Sequence, residues 1–280
     1  MVTPATAGEI ARVAARLRAA GCVFAEDEAQ LLVGTARSRA ELGAMVDRRA
    51  SGFPLEHVLG WAEFCGLRIA VSEGVFVPRR RSEFLVRQAV KAAGASRASN
   101  HGPNARTVVV DLCCGSGAIG VAVTHLLGDA ALHAADIDPA AVSCARQNVA
   151  TVGGHVYQGD LYDPLPAQLR GRIDVLVVNA PYVPTGEMAL MPPEARLYEP
   201  AVALDGGSDG VDVHRRVAAA AREWLAPGGG QLLIETSDRQ SGRTADAMTA
   251  GGLATTVLSD DELDATVVAG VLPVRPPTLG

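Results

Sequence analysis

The chain has 280 residues, 48% of them hydrophobic, and its 25 Lys and Arg against 31 Asp and Glu give a formal net charge of −6. This length and apolar content can bury one sizeable core and a smaller second one, so we expect one or two domains. The acidic balance argues against direct binding to the phosphates of a nucleic acid.

The sequence carries no sign of export or membrane insertion. Its start, MVTPATAGEIARVAARL, has no basic start followed by an apolar run and a small-residue cleavage site, as a secretory signal would. The longest uncharged stretch, 112–128, is interrupted by Gly, Ser, Thr and His and falls short of the about 20 apolar residues of a spanning helix. The five cysteines include no CxxC pair, and the six histidines have no metal-ligand spacing. We therefore expect a cytoplasmic protein with reduced thiols, no metal and no membrane contact.

The first part of the chain has helical periodicity. Apolar residues recur at helical spacing in "GEIARVAARLRAAG", "AEDEAQLLVGTA" and "SRAELGAMVDRRASG", with Gly or Ser between the segments. This pattern predicts a helical domain over 1–60, and we expect that domain to recognise the substrate. The next stretch, "GWAEFCGLRIAVSEGVFVP", changes to a period near two, which predicts a β-hairpin linker over 61–80. The main domain is expected over 81–280.

The main domain is predicted to open with a helix and continue as alternating strands and helices. "SEFLVRQAVKAAG" predicts a helix capped by Ser82 and ending at Gly94, followed by an exposed loop, "ASRASNHGPNAR". The predicted strands are "TVVVDL", "ALHAAD", "HVYQGD", "IDVLVVN", "QLLIE" and two late ones around "ATTVL" and "ATVVAGVL". Such alternation predicts an α/β fold with a mostly parallel seven-stranded sheet and helices on both faces. The tail, "PVRPPTLG", is expected to be mobile.

Acidic residues close three successive predicted strands. Asp111 precedes a Gly-rich turn, "CCGSG", which allows close approach of a ligand to the backbone, although an ordinary strand-to-helix loop has the same composition. Asp136 stands where a carboxylate can accept both ribose hydroxyls of an adenosine, and Asp160 where it can meet the adenine amino group. Because carboxylates repel phosphate, the set suits a nucleoside without phosphates.

An amide and an aromatic ring follow a buried strand in "VVNAPYVP", residues 177–184. Alone, this segment also fits a strand end with a Pro turn in which Tyr182 packs. Together with "DLCCGSGAIG", "ADIDPAAV" and the "GD" after the third strand, it resembles the HemK/PrmC-type protein-glutamine N5-methyltransferases. These are Rossmann-like class I methyltransferases that depend on S-adenosylmethionine. The resemblance extends upstream through "LEHVLGWAEFCGLRIAVSEGVFVPRRRSEFLV" and downstream through "EARLYEPAVALDGGSDGVDVHRR".

The resemblance implies S-adenosylmethionine as the cofactor. The cofactor-binding positions that it implies are Asp111, Cys113, Gly115, Gly117, Asp136, Asp160, Leu161 and Asn179. The acceptor would contact the NAPY segment, which consists of Asn179, Ala180, Pro181 and Tyr182. Of these four residues, Asn179 and Tyr182 would be catalytic.

The family's chemistry explains the NAPY segment. The Asn side-chain oxygen and the next backbone carbonyl hold the two hydrogens of a substrate amide, and the Tyr ring lies against it. An amide nitrogen is a poor nucleophile because its lone pair is delocalised, so polarising and aligning it, which can supply roughly 7 to 11 kcal/mol, should be the main catalytic effect. In the family the acceptor is the glutamine of the Gly-Gly-Gln loop of peptide chain release factors. The partner implied for this chain is therefore a release factor.

Some positions depart from the family pattern and leave alternatives open. Ala180 stands where the family has Pro, and Arg80 and Arg81 replace a Pro and an acidic residue. The three arginines 79–81 fit either a solvated turn or substrate recognition. Glu194, Glu199 and Asp205 fit solvated loop charge better than a substrate groove. The alternative functions are methylation of an adenine amine or of a small-molecule amide or amine, and cofactor binding without catalysis.

Overall fold

A computed structural model describes residues 7–100 and 106–273 of the chain. Residues 101–105 of the predicted loop and 274–280 of the predicted tail lie outside the described residues. No helix within the described ranges is long and apolar enough to cross a membrane.

Four helices form the N-terminal part: α1 (Ala7–Ala19), α2 (Ala25–Thr35), α3 (Arg39–Ala50) and α4 (Leu55–Leu59). Their apolar faces share one small core in which Leu17 and Leu32 are fully buried. Ser38 caps α3, because its hydroxyl accepts a hydrogen bond from the backbone N–H of Glu41. Helical periodicity in the sequence therefore located α1, α2 and α3, whereas α4 was not predicted.

A hairpin follows, with strands β1 (Trp61–Phe64) and β2 (Leu67–Ala70). Cys65 and Gly66 join them, with φ of 51° and 72°, which matches the turn type that fits the twist of a two-residue hairpin. The regular hairpin is shorter than the predicted 61–80, and residues 71–79 form an extended connection to the main domain.

Helix α5 (Glu83–Asn100) corrects two predictions. It does not end at Gly94, so the predicted loop is wrong over 95–100. An isolated Gly destabilises a helix by only about 1 kcal/mol. The helix continues through Gly94 because Ala92 and Ala93, just before it, are buried in the core. Ser82 precedes α5 in a short 3₁₀ turn, but its side chain is buried and directed toward Asn179 rather than capping the helix.

Seven strands form the main sheet, in agreement with the prediction. They are β3 (Thr107–Leu112), β4 (Ala130–Asp136), β5 (His155–Gln158), β6 (Val175–Val178), β7 (Gln231–Thr236), β8 (Ala254–Asp260) and β9 (Ala265–Val271). The spatial order is β5-β4-β3-β6-β7-β9-β8. The first five strands in this order run parallel, and β9 pairs antiparallel with both β7 and β8.

Helices cover both faces of this sheet. The remaining ones are α6 (Ala118–Leu127), α7 (Pro139–Val149), α8 (Pro193–Tyr198), α9 (Asp212–Trp224) and α10 (Asp238–Ala250). Helices α5, α6 and α7 contribute to one buried cluster, and α9 and α10 to the other. The chain leaves β3 toward β4 on one side and reaches β6 on the other. Ligands of such sheets bind where the strand order reverses, so the β3–β6 edge is the expected place for a site.

Candidate active site

A cavity of about 470 Å³ opens at the carboxyl ends of the strands, at the β3–β6 position. The loops after β3, β4, β5 and β6 line it, together with residues from 76–82 and 199–205. Its size is in the usual range of roughly 300 to 1,000 Å³ for small-molecule sites. Of the predicted site residues, Cys113, Gly115, Asp136, Asp160, Leu161 and the whole NAPY segment line this cavity.

Asp111 lies behind the Gly-rich loop rather than in the cavity. It is fully buried, and its Oδ2 accepts a hydrogen bond of 2.8 Å from the backbone N–H of Gly120 at the start of α6. Burial raises the pKa of this carboxyl to about 7. Asp111 therefore does not face the cavity as predicted for a cofactor contact. Instead, it supports the site by fixing α6 against the Gly-rich loop.

The loop itself turns through left-handed backbone conformations. Cys113, Gly115 and Gly117 have φ of 56°, 55° and 78°. Gly117 is also outside the cavity lining, and a Cβ there would lie 3.0 Å from Val149 of α7, so this Gly serves close packing. Burial raises the pKa of the Cys113 thiol, which keeps it protonated and argues against a nucleophilic role.

Asp136 is fixed with both oxygens engaged. Its Oδ2 accepts from the backbone N–H of Gly115 at 2.8 Å, and its Oδ1 accepts from that of Asp138 at 2.9 Å. These bonds leave the remaining lone pairs available to hydroxyl donors in the cavity. Burial raises the pKa of Asp136, and the backbone hydrogen bonds counteract that effect.

Asp160 has a cationic neighbour that the sequence argument did not foresee. Arg216 of α9 donates to Asp160 Oδ2 at 2.6 Å, and both side chains line the cavity. The end of the cavity where the sequence predicted a nucleoside therefore carries a positive charge as well as carboxylates. Arg216 is the second Arg of "DVHRRV", and only the packing of α9 against the sheet brings it to the strand ends. Leu161, with φ of 48°, supplies an apolar side chain beside it.

Asn179 follows β6 with its amide held in one orientation. Its Nδ2 donates to Ser82 Oγ at 3.3 Å, and its side-chain oxygen accepts no hydrogen bond from the described residues. Ala180, only 2% exposed, presses its small side chain into the core while still bordering the cavity. An amide oxygen and a backbone carbonyl thus stand at neighbouring positions of the lining.

Tyr182 is held from both ends. Its backbone carbonyl accepts from Gln240 Nε2 at 2.7 Å, and its hydroxyl accepts from the Arg81 guanidinium at 2.6 Å. Burial raises the pKa of the phenol, so the ring stays neutral. Neither Gln240 nor this use of Arg81 was evident from the sequence, because both depend on contacts between distant segments.

Two of the three consecutive arginines do not form a solvated turn. Arg79 pairs with Glu199, which is 6% exposed and also accepts from the backbone N–H of Val77. Arg81 Nε lies 3.4 Å from Oε1 of the buried Glu235. Arg80 is exposed. The solvated role predicted for Glu199 is therefore wrong, because this side chain lines the cavity and holds residues 77–79 in place.

Of the other two predicted loop acids, Asp205 also borders the cavity and Glu194 does not. Glu194 pairs with Arg49 of α3 at 2.9 Å and joins the helical part to the segment after the NAPY motif. Asp205 is exposed and accepts from Thr185 and from the backbone N–H of Gly207. Among the described residues, no group of three or more acidic, His or Cys side chains could hold a metal.

Comparisons with known proteins give this chain's relatives. A family model described as the methyltransferase small domain matches residues 94–194. The release factor glutamine methyltransferase of Streptomyces coelicolor is 34% identical over 249 residues, which are 84% of this chain and 86% of the relative. That of Geobacter sulfurreducens is 40% identical over 68% of this chain, and the match spans 63% of the relative's length.

The chain belongs to the release factor glutamine methyltransferase family. This membership confirms the predicted family, and with it the class I fold and S-adenosylmethionine as cofactor. A further relative, 35% identical over 70% of this chain and 65% of its own length, is the 4-amino-L-phenylalanine/4-methylamino-L-phenylalanine methyltransferase of Streptomyces pristinaespiralis. The family's sequence neighbourhood thus includes a protein named for a small aromatic amine.

A solved structure shares the fold. The crystal structure of the hMettl16 catalytic domain in complex with MAT2A 3′UTR hairpin 6 has a TM-score of 0.55, covers 89% of this chain and 84% of that chain, and is 11% identical. At this identity the likeness concerns the architecture alone.

The cavity residues fit S-adenosylmethionine. Asp136 offers carboxylate oxygens for ribose hydroxyls, and Ile137 and Leu161 offer apolar surface for a purine ring. The Asn179 and Tyr182 side chains stand at the β6 end of the same cavity. A cofactor and an acceptor can therefore meet in one enclosed space.

Proposed function

We propose that this chain transfers a methyl group from S-adenosylmethionine to the side-chain amide nitrogen, N5, of a glutamine in a peptide chain release factor. The observation that carries the proposal is the orientation of Asn179. Its Nδ2 is committed to Ser82, which leaves the side-chain oxygen and the Ala180 carbonyl as two acceptors for the two hydrogens of one primary amide.

The residues of the NAPY segment would act by position and polarisation. When bound, the cofactor supplies an electrophilic methyl group on a positively charged sulfur. Asn179 and Ala180 would hold the acceptor nitrogen toward that methyl and draw density from its N–H bonds, while Tyr182 and Pro181 confine the amide plane. Such alignment supplies roughly 7 to 11 kcal/mol in favourable cases. No strong base is needed, because the nitrogen becomes acidic once it is methylated.

The cofactor would be held by the loops after β3, β4 and β5. Asp136 would accept the ribose hydroxyls, and Asp160, with Arg216 beside it, would meet the adenine edge. Cys113, Gly115 and Leu161 would shape the cavity through their left-handed backbone conformations. These roles rest on the lining of the cavity and on the residues that the family resemblance points to.

A direct test is methyl transfer from labelled S-adenosylmethionine to a purified release factor, with the Gln-to-Ala form of its Gly-Gly-Gln loop as the control. Label on the wild-type factor alone, located by mass spectrometry on that glutamine, would support the proposal. An unlabelled factor, at a cofactor concentration shown to saturate the protein, would contradict the proposed acceptor.

Asn179→Ala tests the role of the amide. We expect turnover to fall by at least about 100-fold, as for the loss of one polar contact made in a transition state. The dissociation constant of the cofactor, measured by calorimetry, should change little because Asp136 and Asp160 remain. Wild-type turnover in this variant would remove Asn179 from the mechanism.

The proposed partner also implies a location. Release factors act on ribosomes, so an enzyme that modifies them works in the cytoplasm, and the free cysteines suit a reducing compartment. Recognition would be of protein rather than of RNA, given the net charge of −6. Methylation of the isolated factor should therefore not require added RNA.

A second candidate acceptor is the aromatic amine of a free amino acid, which Arg81 favours. Its guanidinium borders the cavity beside Tyr182, and the side chain is 42% exposed. Such a position can pair with a substrate carboxylate in a bidentate manner. Incubation with 4-amino-L-phenylalanine tests this candidate, since methylated amino acid, formed while the release factor stays unmethylated, would support it over the release factor.

A further inference from the structure

A line of polar side chains runs behind the NAPY segment to a buried carboxylate on the next strand. In the parallel pair β6–β7, Val178 is opposite Ile234, so Asn179 and Glu235 follow at matching positions on adjacent strands. The Glu235 side chain is 2% exposed and is not part of the cavity lining. It lies behind the acceptor site, where it cannot touch an acceptor.

Ser82 connects Asn179 to this carboxylate. The residue is 1% exposed, and its Oγ accepts from Asn179 Nδ2 at 3.3 Å. Burial raises the pKa of the Glu235 carboxyl, and hydrogen bonding with the Ser82 side chain counteracts that effect. A carboxylate can only accept, so the Ser82 hydrogen points to Glu235 and an oxygen lone pair remains for the Asn179 NH₂. The Asn179 oxygen must then face the cavity.

Arg81 connects the same carboxylate to the second side chain of the site. Its Nε lies 3.4 Å from Glu235 Oε1, and another nitrogen of the same guanidinium donates to the Tyr182 hydroxyl at 2.6 Å. Glu235 Oε2 is buried without a hydrogen bond from the described residues. This oxygen therefore keeps free acceptor capacity.

The geometry points to Glu235 as a positioning residue that orients the Asn179 amide through Ser82 and the Tyr182 ring through Arg81. Because it gives Asn179 and Tyr182 their orientation toward an acceptor, this role rests on the proposed function. A buried carboxylate is expensive to desolvate, and the neighbouring core positions of β7 are Leu232, Leu233 and Ile234. The role in orienting Asn179 and Tyr182 explains why a charged residue, Glu235, stands at the end of this apolar run.

The activity test compares Glu235→Gln, Ser82→Ala, Ser82→Thr and the double variant Ser82→Ala/Glu235→Gln. Thr107→Val is the control, because the Thr107 hydroxyl is buried, has no hydrogen bond to any described residue and is outside the cavity lining. We expect Glu235→Gln and Ser82→Ala each to lower kcat about 10- to 100-fold through misalignment. Ser82→Thr and Thr107→Val should keep kcat within about threefold of wild type. A threefold change corresponds to less free energy than the about 1 kcal/mol that a typical hydrogen bond contributes. The cofactor dissociation constant should be unchanged in all of them.

The double variant separates positioning from unrelated damage. If Ser82 and Glu235 act in one line, the double variant should be no slower than the slower single variant, since coupled residues are not additive. Additive losses, or an unaltered kcat in Glu235→Gln, would overturn the inference. So would a Ser82→Thr variant as slow as Ser82→Ala, because Thr restores the hydroxyl.

A spectroscopic arm keeps the inference testable if the proposed acceptor is wrong. In ¹⁵N-labelled protein, the side-chain NH₂ signals of Asn179 are assigned by their loss in Asn179→Ala. We expect Ser82→Ala and Glu235→Gln to shift these signals and Thr107→Val to leave them in place. Unshifted signals in both variants would overturn the positioning role, whatever the acceptor. A wild-type enzyme that ignores the release factor, with shifted signals in the variants, would contradict only the proposed acceptor.

Discussion

Gly120, in the first turn of α6, lies against the carboxylate of Asp111. Its N–H donates to Asp111 Oδ2 at 2.8 Å. A Cβ at this position would be 2.7 Å from Leu132 and 3.0 Å from that same oxygen. The missing side chain therefore lets α6 approach β3 and β4 closely enough for the backbone hydrogen bond that fixes the cofactor loop.

Gly120→Ala should therefore destabilise the protein. Overpacking of a tight core position typically costs about 1 to 3 kcal/mol, and the bond to Asp111 would lengthen as α6 shifts. The measurement is the free energy of unfolding in urea. Gly43→Ala is the matched control, because Gly43 is also helical and has nothing within 4 Å of its Cβ position. That change should stabilise by about 0.5 to 1 kcal/mol, and equal effects in the two variants would contradict the packing argument.

At the scale of elements, Arg49 joins α2, α3 and α8. It contacts both oxygens of Glu28, at 2.6 and 3.0 Å, and a third nitrogen contact reaches Glu194. Beside it, Tyr198 at the end of α8 packs against Phe53, with the rings tilted by 37° and their centroids 4.3 Å apart. The segment that follows the NAPY motif is thereby attached to the helical part of the chain.

Arg49→Ala should be far more costly than the loss of a surface arginine. Glu28 would be left as a nearly buried charge, with a side chain 10% exposed and no counterion, which typically costs about 3 to 5 kcal/mol. Arg37, 87% exposed and paired with Glu41, gives the control, and Arg37→Ala should have no measurable effect. Unfolding curves of the two variants provide the comparison. A stability of Arg49→Ala within error of that of Arg37→Ala would show that α2 and α3 do not depend on this pair.

At the scale of the whole molecule, His214 makes a contribution to stability that should be lost on acidification. This residue is fully buried in α9, and burial lowers the pKa of its imidazole from 6.5 to about 4. Between pH 6.5 and about 4, the unfolded chain therefore binds a proton at His214 that the folded chain does not bind. This difference lowers the free energy of unfolding as pH falls through that window.

The contribution of His214 should be about 2 kcal/mol between pH 7 and 5, from a pKa difference worth 1.36 kcal/mol per unit. Urea titrations at the two pH values should give a change in the free energy of unfolding that differs by this amount between wild type and His214→Asn, because the carboxyls with raised pKa, such as Asp111, are common to both proteins. His125→Asn is the control, because His125 is exposed on α6. If the acid-induced loss is the same in wild type and His214→Asn, the low pKa is not the cause.

The sequence was enough to predict the sheet and the position of the site, because both follow from local patterns. Alternating apolar runs gave the strands, and Asp136, Asp160 and Asn179 were found at the ends of strands whose carboxyl ends must meet. What it could not reveal depends on tertiary packing. Arg216 reaches Asp160 only through α9, and Ser82, expected as a helix cap, turns inward to Asn179. Glu235 was visible as a charge at the end of "QLLIE", and its match with Asn179 required the strand register.

The insertion of β9 between β7 and β8 also governs how a growing polypeptide can mature. The ribosome delivers β7 and β8 first, yet among the described strands both obtain their partner in this part of the sheet only from 265–271. Until that stretch emerges, the buried segment "LLIET" of β7 has an unpaired flank. Nascent chains that stop before residue 265 would thus expose an apolar strand edge to chaperones and proteases. Truncation before β9 would therefore be expected to lead to degradation of the whole chain rather than to a shorter folded protein.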